Sequence, residues 1–324
     1  MYTSTQLQQC FNGWLEALTM SRQPQSLYEP AKYVLSLGGK RLRPVLMMMA
    51  YQLFKEDVEK AAPQAMGIEI YHNFTLLHDD LMDRADMRRG KATVHKVWND
   101  NAAILSGDAM TILAYQQMAD CDENHLKDVI DLFSQTALEI CEGQQLDMDF
   151  ESRKDVTVAE YMEMIRLKTS VLLACALKTG AILADASASD ADLLYDFGIN
   201  MGLGFQLKDD LLDVYGHPEI FGKKIGGDIL CNKKTFLLIK TWELADERQK
   251  SQLETWLDAA DYDPEEKVRS VTDIYNKVGV KGISEQLIED YSNRAALQLD
   301  QVSASAELKA PLLQMLEGLK TREV

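Results

Sequence analysis

Leu77-His78-Asp79-Asp80-Leu81-Met82-Asp83 and Leu207-Lys208-Asp209-Asp210-Leu211-Leu212-Asp213 are two stretches with one pattern, Asp-Asp-x-x-Asp, in which apolar residues separate the carboxylates. Each stretch closes a long segment that has apolar residues at the helical period and contains no proline beyond its first turn. The sequence therefore predicts that both stretches lie on helices.

The carboxylate pairs in these stretches indicate binding of a divalent cation. Residues four apart share a helix face, so Asp79 and Asp83 point the same way, as do Asp209 and Asp213. Two carboxylates on one face repel each other unless a cation lies between them. Mg²⁺ commonly takes one or two carboxylates and completes its shell with water and substrate phosphate. Two such motifs in apolar surroundings point to one common function.

The remainder of the chain predicts an all-α protein. The 324 residues are 46% hydrophobic and 26% charged, an ordinary globular balance. No segment alternates β-branched residues between turn residues, and no linker is rich in Gly, Ser or Pro. We therefore expect one domain over residues 1–324. Helices are expected in these segments: Gln6–Leu18, a second to about Leu37, a third with Pro44 near its first turn, Ala61–Asp83, Ala102–Ala119, Leu126–Phe150, Val158–Ala184, Ala191–Tyr215, and four or five shorter ones in Lys234–Glu317 that include starts at Pro264 and Pro311.

Net charge and cysteine usage exclude several classes of partner and location. The formal charge of −17 argues against nucleic acid and against charge-driven binding to an anionic membrane. Five widely spaced cysteines without a Cys-x-x-Cys are typical of reduced thiols in a cytoplasmic protein. The N-terminus has no signal-peptide pattern, and no apolar run is long enough to span a bilayer. We expect a protein without stable membrane insertion.

Compact basic clusters stand against the acidic background. Most lie beside glycine, where backbone N–H groups are free and an anion can approach closely. Arginine binds phosphate oxygens in bidentate fashion and lysine acts as a point charge. Together with the carboxylates they suggest Mg²⁺ clamping a polyphosphate. The clusters are Gly38–Pro44, Arg88–Lys91, Arg166–Thr169, Gly222–Asp228 and Asn232–Thr235.

These motifs, in this order, resemble the motif set of the trans-isoprenyl diphosphate synthases, the polyprenyl synthetase family that includes the farnesyl and geranylgeranyl diphosphate synthases. The similarity spans about residues 38–235. It is carried by Gly38–Pro44, Leu77–Gly90, Lys168-Thr169, Gly204–Asp213 and Lys224–Lys233.

The resemblance implies a fold and a reaction. The fold is an isoprenoid synthase-type bundle of ten or more helices around a central cavity, usually in a homodimer. The reaction is Mg²⁺-dependent head-to-tail condensation of isopentenyl diphosphate with dimethylallyl, geranyl or farnesyl diphosphate, by ionisation, condensation and elimination. Three Mg²⁺ ions are expected with diphosphate bound.

Roles of single residues follow from the same resemblance. Asp79 and Asp83 would bind two Mg²⁺ ions with Asp80 in support, and Asp209 would bind a third. The shell of that third ion would be oriented by Asp210, Asp213 and Asp228. The allylic diphosphate would contact Arg88, Lys168, Lys224 and Lys233. In the adjacent pairs Lys223-Lys224 and Lys233-Lys234, the motif spacing to Asp228 favours Lys224 and Lys233. The isopentenyl diphosphate pocket would contain Lys40, Arg43, His72 and Arg89. Thr169 and Gln206 would line the reacting carbons.

Product length is expected to depend on residues just before the first motif. Phe74 lies five residues before Asp79, with Thr75 next and Tyr71 one turn earlier. An aromatic ring at 74 would stop a growing chain after a few isoprene units, and long-chain relatives are expected to have a small residue there. Vertebrate farnesyl synthases have aromatics at both positions 74 and 75, and bacterial ones carry two extra residues inside the motif. This chain has no insertion, and Thr75 replaces the second aromatic, so C15 and C20 products both stay open and we expect a short-chain product.

Two other functions compete with this interpretation. Terpene cyclases share the first motif, but they usually have an Asn/Ser/Glu triad in place of the second, and they do not need the Lys40/Arg43 pocket. A non-catalytic metal-binding or regulatory subunit would have no reason to keep every phosphate-facing cation. Near the C-terminus, Lys320 and Arg322 could reach a phosphate from a flexible tail, but they are interpreted as part of a frayed end.

Overall fold

The computed structural model describes residues 2–216 and 225–322, and this part of the chain is almost entirely helical. A hairpin of two-residue strands, β1 (Met87–Arg88) and β2 (Lys91–Ala92), is the one sheet found there. The all-α prediction is confirmed.

The helices follow the predicted segments closely, with a 3₁₀ turn at Val58–Ala61 and a π-helical segment at Arg166–Ser170. In chain order they are α1 (Ser4–Ala17), α2 (Gln25–Ser36), α3 (Leu42–Gln52), α4 (Ala62–Met82), α5 (Val94–Val97), α6 (Asp100–Met118), α7 (Glu123–Ser152), α8 (Val158–Ile165), α9 (Val171–Leu183), α10 (Ala188–Tyr215), α11 (Gly227–Leu230), α12 (Phe236–Leu244), α13 (Glu247–Leu257), α14 (Pro264–Val278), α15 (Val280–Gln301) and α16 (Ala306–Thr321).

The chain divides into two compact units. The first unit contains residues 1–135, 175–195 and 302–312, and the second contains residues 136–174, 196–301 and 313–324. The expectation of one domain over residues 1–324 stays a prediction.

The core of the first unit forms where α3 and α4 pack together and α4 packs on α6. Residues 44–52 of α3 are all buried. Gly180 on α9 allows a close approach to α3, because a Cβ at this position would lie 2.1 Å from the carbonyl oxygen of Met47. The glycine is needed here for packing, at a cost in helix propensity of about 1 kcal/mol.

The core of the second unit gathers apolar side chains from at least eight helices, α7, α8 and α10 to α15. It includes Met164 of α8, Leu207 of α10, Leu237 of α12, Ile274 of α14 and Ile288 of α15, all less than a tenth exposed. Burial of these side chains fixes α10, and α10 carries the second acidic motif near its C-terminal end.

Two predicted details were wrong, each for a local reason. The segment 158–184 is not a uniform α-helix, because residues 166–170 are π-helical and insert an extra residue into one turn. The last helix does not start at Pro311, which lies inside α16. It starts five residues earlier, where the Ser305 hydroxyl accepts a hydrogen bond from the Leu308 N–H (3.4 Å). The predicted start at Pro264 is confirmed.

No helix in the described part of the chain is both long enough and apolar enough to cross a bilayer.

Candidate active site

The first acidic motif lies at the C-terminal end of α4. Asp79 and Asp80 belong to the last turn, and Asp83 is the C-cap with helical dihedral angles. The Asp83 N–H donates to the Asp79 carbonyl at 2.9 Å, so the four-residue spacing of a helix is kept up to the cap. Asp83 is exposed and the Asp79 carboxylate is 23% exposed, so both are open to a ligand.

The middle aspartate of this motif is buried and bound by an arginine. Arg88 donates from Nε to both oxygens of Asp80 at 2.8 Å, and its Nη2 lies 2.8 Å from Oδ1. The same Nη2 is 3.7 Å from Asp79. Burial raises the pKa of Asp80, and the positive charge of Arg88 opposes that rise. Arg88 thus joins the hairpin to the end of α4.

The hairpin turn presents a second arginine. Arg88 pairs with Lys91, which leaves Arg89 and Gly90 as a two-residue loop with φ of 50° and 75°. Positive φ at both central residues is the type I′ geometry, and it explains the glycine. Arg89 Nη1 donates to the Gly38 carbonyl, so the hairpin is tied to the loop before α3.

This loop, residues 38–41, is shaped by positive φ angles and by one buried ion pair. Gly39 has φ of 135°, and a Cβ there would lie 3.0 Å from the guanidinium carbon of Arg89. Arg41 also has positive φ, and its Nη1 lies 2.6 Å from Oε1 of Glu69 on α4. Both side chains are about 95% buried. Lys40, which lies between Gly39 and Arg41 in the sequence, is exposed.

Arg43 and His72 form a polar contact beside this loop. Arg43 Nη1 lies 3.1 Å from His72 Nε2. A guanidinium can only donate, so Nε2 accepts and the imidazole is neutral with its proton on Nδ1. Burial, then the charges of Arg43, Arg89, Arg88 and Arg41, lower the pKa of His72 well below its ordinary value of 6.5. Burial also lowers the pKa of Arg43 to about 10. This concentration of positive charge suits an anionic ligand.

The predicted chain-length residues lie in a row of aromatic rings. Phe74 contacts Tyr71 with ring centroids 5.2 Å apart, and Tyr71 contacts Phe133 at 5.1 Å. Tyr115 continues the row at 4.8 Å from Phe133. The Thr75 hydroxyl donates to its own helix, to the His72 carbonyl at 2.8 Å. Of the three candidates, Tyr71 is buried, whereas Phe74 and Thr75 are partly exposed. Phe74 is the larger of these two side chains.

In the second unit, the π-helical segment carries Lys168 and Thr169. Lys168 Nζ lies 2.6 Å from Asp147 Oδ2 on α7. Thr169 Oγ1 donates to Gln206 Oε1 on α10 at 3.0 Å. Single π turns inside α-helices are frequent at functional sites. The sequence-predicted Lys168, Thr169 and Gln206 are thus brought together.

The middle aspartate of the second motif is held by neutral donors. Asp210 accepts hydrogen bonds from the Tyr161 hydroxyl and from Gln206 Nε2 (3.0 Å), and it is 4% exposed. Burial and the negative charge of Asp228 raise the pKa of Asp210 to about 7, against the effect of both hydrogen bonds.

The other members of this acidic group come from α10 and α11. Asp213 Oδ2 accepts from the Asp228 N–H at 3.0 Å. The charge of Lys233 lowers the pKa of Asp210 and opposes its rise, so Lys233 acts on the group. Lys234 instead donates to a backbone carbonyl two residues before it, at 3.2 Å. These contacts support the choice of Lys233. Lys224 lies outside the described residues.

Arg322 is not part of a frayed end, so that interpretation was wrong. Its side chain is 10% exposed and pairs with Asp209. It also donates from Nη2 to the Phe205 carbonyl at 3.1 Å.

The carboxylates fit a metal that is bound partly by substrate. Within residues 2–216 and 225–322, no group of three or more His, Cys, Asp or Glu side chains is placed to hold a metal ion by itself. Both motifs offer hard oxygen donors, which Mg²⁺ prefers, and Mg²⁺ usually completes its shell with water and phosphate oxygens.

The comparisons with known proteins agree with this arrangement. Residues 24–276 match the family model described as polyprenyl synthetase. The chain is 43% identical over 230 residues to a geranylgeranyl diphosphate synthase of Methanosarcina mazei, covering 70% of this chain and 71% of that protein. It is 42% identical over 207 residues to a (2E,6E)-farnesyl diphosphate synthase of Mycobacterium bovis, covering 64% and 57%. A crystal structure of a geranylgeranyl pyrophosphate synthase superposes with a TM-score of 0.96 at 43% identity, covering 100% of both chains.

The chain belongs to the polyprenyl synthetase family. The predicted enzyme class, an isoprenyl diphosphate synthase of the short-chain type, is confirmed. Nothing in the comparisons supports a cyclase or a non-catalytic subunit. Prenyl diphosphate synthases as a family depend on Mg²⁺.

Sequence reasoning missed several residues that hold the predicted ones in place. They are Glu69, Asp147 and Tyr161, which bind Arg41, Lys168 and Asp210. Glu69 is a charged side chain in a mostly apolar helical segment, which is the signal that could have singled it out, whereas Asp147 lies in a polar segment that offers no such signal. In all three cases the partner lies 21 to 49 residues away in the sequence.

The depressed pKa of His72 predicts a pH-dependent stability. The folded chain binds a proton at His72 more weakly than the unfolded chain, so stability falls as the pH drops below the ordinary value of 6.5. His72→Gln keeps an acceptor for Arg43 but does not titrate. We expect the loss of stability between about pH 6.5 and pH 5.5 to shrink by about 1 kcal/mol in the variant. Chemical denaturation at both pH values measures this, and equal pH slopes would contradict it.

Proposed function

We propose that the chain condenses isopentenyl diphosphate head-to-tail with an allylic diphosphate and that its main product has twenty carbons. The observation that carries the proposal lies in one unit: four arginines and a neutral histidine lie along α4 between Glu69 and Asp80, and the partly exposed Asp79 and the exposed Asp83 follow at its end. Carboxylates take a metal-bound diphosphate, and arginines take a metal-free one. Two diphosphate substrates need both.

Asp79 and Asp83 would hold two Mg²⁺ ions and Asp209 a third, with Asp213 and Asp228 orienting its ligands. Bound magnesium supplies positive charge that stabilises diphosphate as its C–O bond to the allylic carbon breaks. Asp80 differs from its neighbours, since Arg88 already binds both of its oxygens. We assign Asp80 the role of fixing Arg88 rather than of reaching a metal directly.

Arg43, His72, Arg89 and Lys40 would bind isopentenyl diphosphate without metal. The pKa of His72 is lowered, so it stays neutral and donates from Nδ1, while Arg43 and Arg89 supply the charge. Arg43 Nε is buried and has no hydrogen-bond partner among the described atoms. A phosphate oxygen would satisfy such a donor at little cost.

Lys168, Thr169 and Gln206 would act at the allylic carbons, together with Arg88, Lys224 and Lys233 at the allylic diphosphate. The hydrogen bond from Thr169 to Gln206, and from Gln206 to Asp210, holds the amide in one orientation. A fixed amide and hydroxyl present oxygen dipoles toward a developing carbocation without reorganisation. The departing diphosphate then takes the proton that the new cation loses.

The chain-length proposal rests on Phe74 and on the relatives. Two of the similar proteins named above are geranylgeranyl synthases, which supports a C20 product; the farnesyl synthase keeps C15 as the alternative. Phe74 is braced by Tyr71 on one side and by His78 on the other, with centroids 4.8 Å apart on the His78 side. A braced ring cannot swing aside for a growing chain.

We further propose a cytoplasmic homodimer. Cys10, Cys121, Cys141 and Cys231 are free thiols, which supports a reducing compartment. Three large apolar side chains on α6, Ile104, Leu105 and Ile112, are 44%, 58% and 61% exposed. An apolar patch of this kind marks a surface for another protein, and a second copy of the chain is the partner that the family suggests.

Asp79→Ala tests the metal role in the first motif. We expect kcat to fall by about a thousandfold or more, with helicity and melting temperature retained, since the side chain is partly exposed. Asp86→Ala is the matched control, because Asp86 lies three residues beyond the motif and pairs with Lys96 at 2.8 Å. Equal activities in the two variants would refute the role.

The double variant Asp79→Ala/Asp209→Ala tests whether both motifs serve the same diphosphate. If they do, its loss of kcat will be much smaller than the product of the two single losses, because groups that act as a unit are not additive. Steady-state assays with labelled isopentenyl diphosphate measure it. Independent, multiplying losses would show that the motifs act separately.

Phe74→Ala tests the product-length proposal. Removal of the braced ring should shift the main product to longer chains by at least one isoprene unit. Tyr115→Phe is the control, because it removes only the hydroxyl that donates to Ser134 at 3.3 Å and leaves the row of rings intact. Products are separated by chain length on reversed-phase plates. An unchanged product ladder in Phe74→Ala would place the stop elsewhere.

Ile112→Glu tests the dimer. Sedimentation equilibrium should give twice the chain mass of 36.6 kDa for the parent protein and the monomer mass for the variant, because a buried unpaired carboxylate disfavours association. A monomeric parent protein would end this part of the proposal.

A further inference from the structure

Arg322, the residue that follows α16, contacts α10 in three ways, one of them at the second acidic motif. Its guanidinium pairs with Asp209 Oδ1, donates to the carbonyl oxygen of Phe205 at 3.1 Å and lies over the Phe205 ring at 4.0 Å. Only 10% of the side chain is exposed. An arginine held by an ion pair, a hydrogen bond and a cation–π contact occupies a defined position.

The other cation at this end of the chain behaves differently. Lys320 pairs with Glu289 at 3.1 Å and with Glu317 at 3.0 Å, both of them surface residues outside the acidic motifs. The two cations are two residues apart and share one helix end. Lys320 therefore provides a matched control for any effect of Arg322 on the motif.

A cation on Asp209 must affect the binding of another cation there. A guanidinium at one carboxylate oxygen repels a divalent ion at the same carboxylate, and this repulsion is screened only in part, since the Asp209 side chain is 35% exposed and that of Arg322 10%. Arg322 Nε is buried without a hydrogen-bond partner among the described atoms, so the bound position leaves one donor unsatisfied. This unsatisfied donor lowers the cost of releasing the side chain.

We propose that Arg322 is a positioning residue for Asp209 and competes there with the divalent cation, so that the segment 313–322 sets the metal requirement of the second motif. The inference rests on the proposed role of Asp209 as a metal ligand. Because the two equilibria are linked, the competition is reciprocal. The factor by which the bound Arg322 lowers the affinity of Asp209 for metal equals the factor by which bound metal lowers the affinity of Arg322 for Asp209.

Metal binding is measured with Mn²⁺ and inorganic diphosphate, with free Mn²⁺ followed by electron paramagnetic resonance. Arg322→Gln keeps a side chain that can donate but removes the charge. We expect the half-saturating Mn²⁺ concentration to fall by about threefold to tenfold in this variant. Arg322→Lys restores the charge but not the stacking on Phe205, so its half-saturating concentration should lie between those of Arg322→Gln and the parent protein, and Lys320→Gln should not change it.

Hydrogen exchange of residues 313–322 gives a second readout that does not depend on activity. In the parent protein, exchange should become faster when Mg²⁺ and inorganic diphosphate are added. In Asp209→Asn it should be fast without them, because the carboxylate that holds Arg322 is gone. In Lys320→Gln the response to Mg²⁺ and diphosphate should persist.

The outcomes separate this inference from the proposed function. An unchanged or higher Mn²⁺ requirement in Arg322→Gln, or slow exchange of the segment in Asp209→Asn, overturns the competition while the metal role of Asp209 stands. Normal Mn²⁺ binding in Asp209→Asn overturns the metal role itself, and the competition with it. Fast exchange in Asp209→Asn together with a lower Mn²⁺ requirement in Arg322→Gln supports both.

Discussion

The contact of Arg88 with buried Asp80 is the interaction on which the first site depends. A buried carboxylate without a partner would be protonated or would displace the end of α4, whereas the two-oxygen contact with a guanidinium keeps it charged and in place. The same contact fixes the hairpin, and the hairpin carries Arg89 to the loop before α3. Loss of this one pair would therefore disturb both the carboxylates and the arginines of the site.

The positive pocket of the first unit exists in a chain with a net charge of −17. This local excess of positive charge is partly balanced by the carboxylate of Glu69. Glu69 pairs with Arg41, and its charge raises the pKa of Arg43 and of Arg89, which burial lowers. Positive φ at Arg41 and Arg89 shows that the backbone is bent to bring these guanidinium groups together. Strain of this kind persists where surrounding contacts over-determine the backbone, as the buried ion pair does here.

The helices and the placement of both motifs could be predicted because they depend on local patterns. The period of apolar residues places Asp79 and Asp209 on helices, and proline and glycine mark most of the ends. The partners could not be predicted, because Tyr161 meets Asp210 across 49 residues and Arg322 meets Asp209 across 113. Periodicity identifies the buried face of a helix but does not say which residue of another helix will meet it. The π-helical segment was also missed, since it depends on packing rather than on propensity.

The two acidic motifs have the same pattern of residues, yet their electrostatics differ. In the first, a full positive charge opposes the rise in the pKa of Asp80. In the second, neutral donors hold Asp210, and the charge of Asp228 adds to the rise. The charge of Lys233 opposes that rise, and Arg322 pairs with Asp209 rather than with Asp210. The protein's own cations thus pair with different positions of the two motifs: Arg88 binds the middle aspartate of the first, and Arg322 binds the first aspartate of the second. A divalent cation that joins the second motif therefore meets a guanidinium at Asp209, whereas the guanidinium of the first motif lies mainly on Asp80, so the two motifs should differ in their response to added positive charge although their sequences are alike.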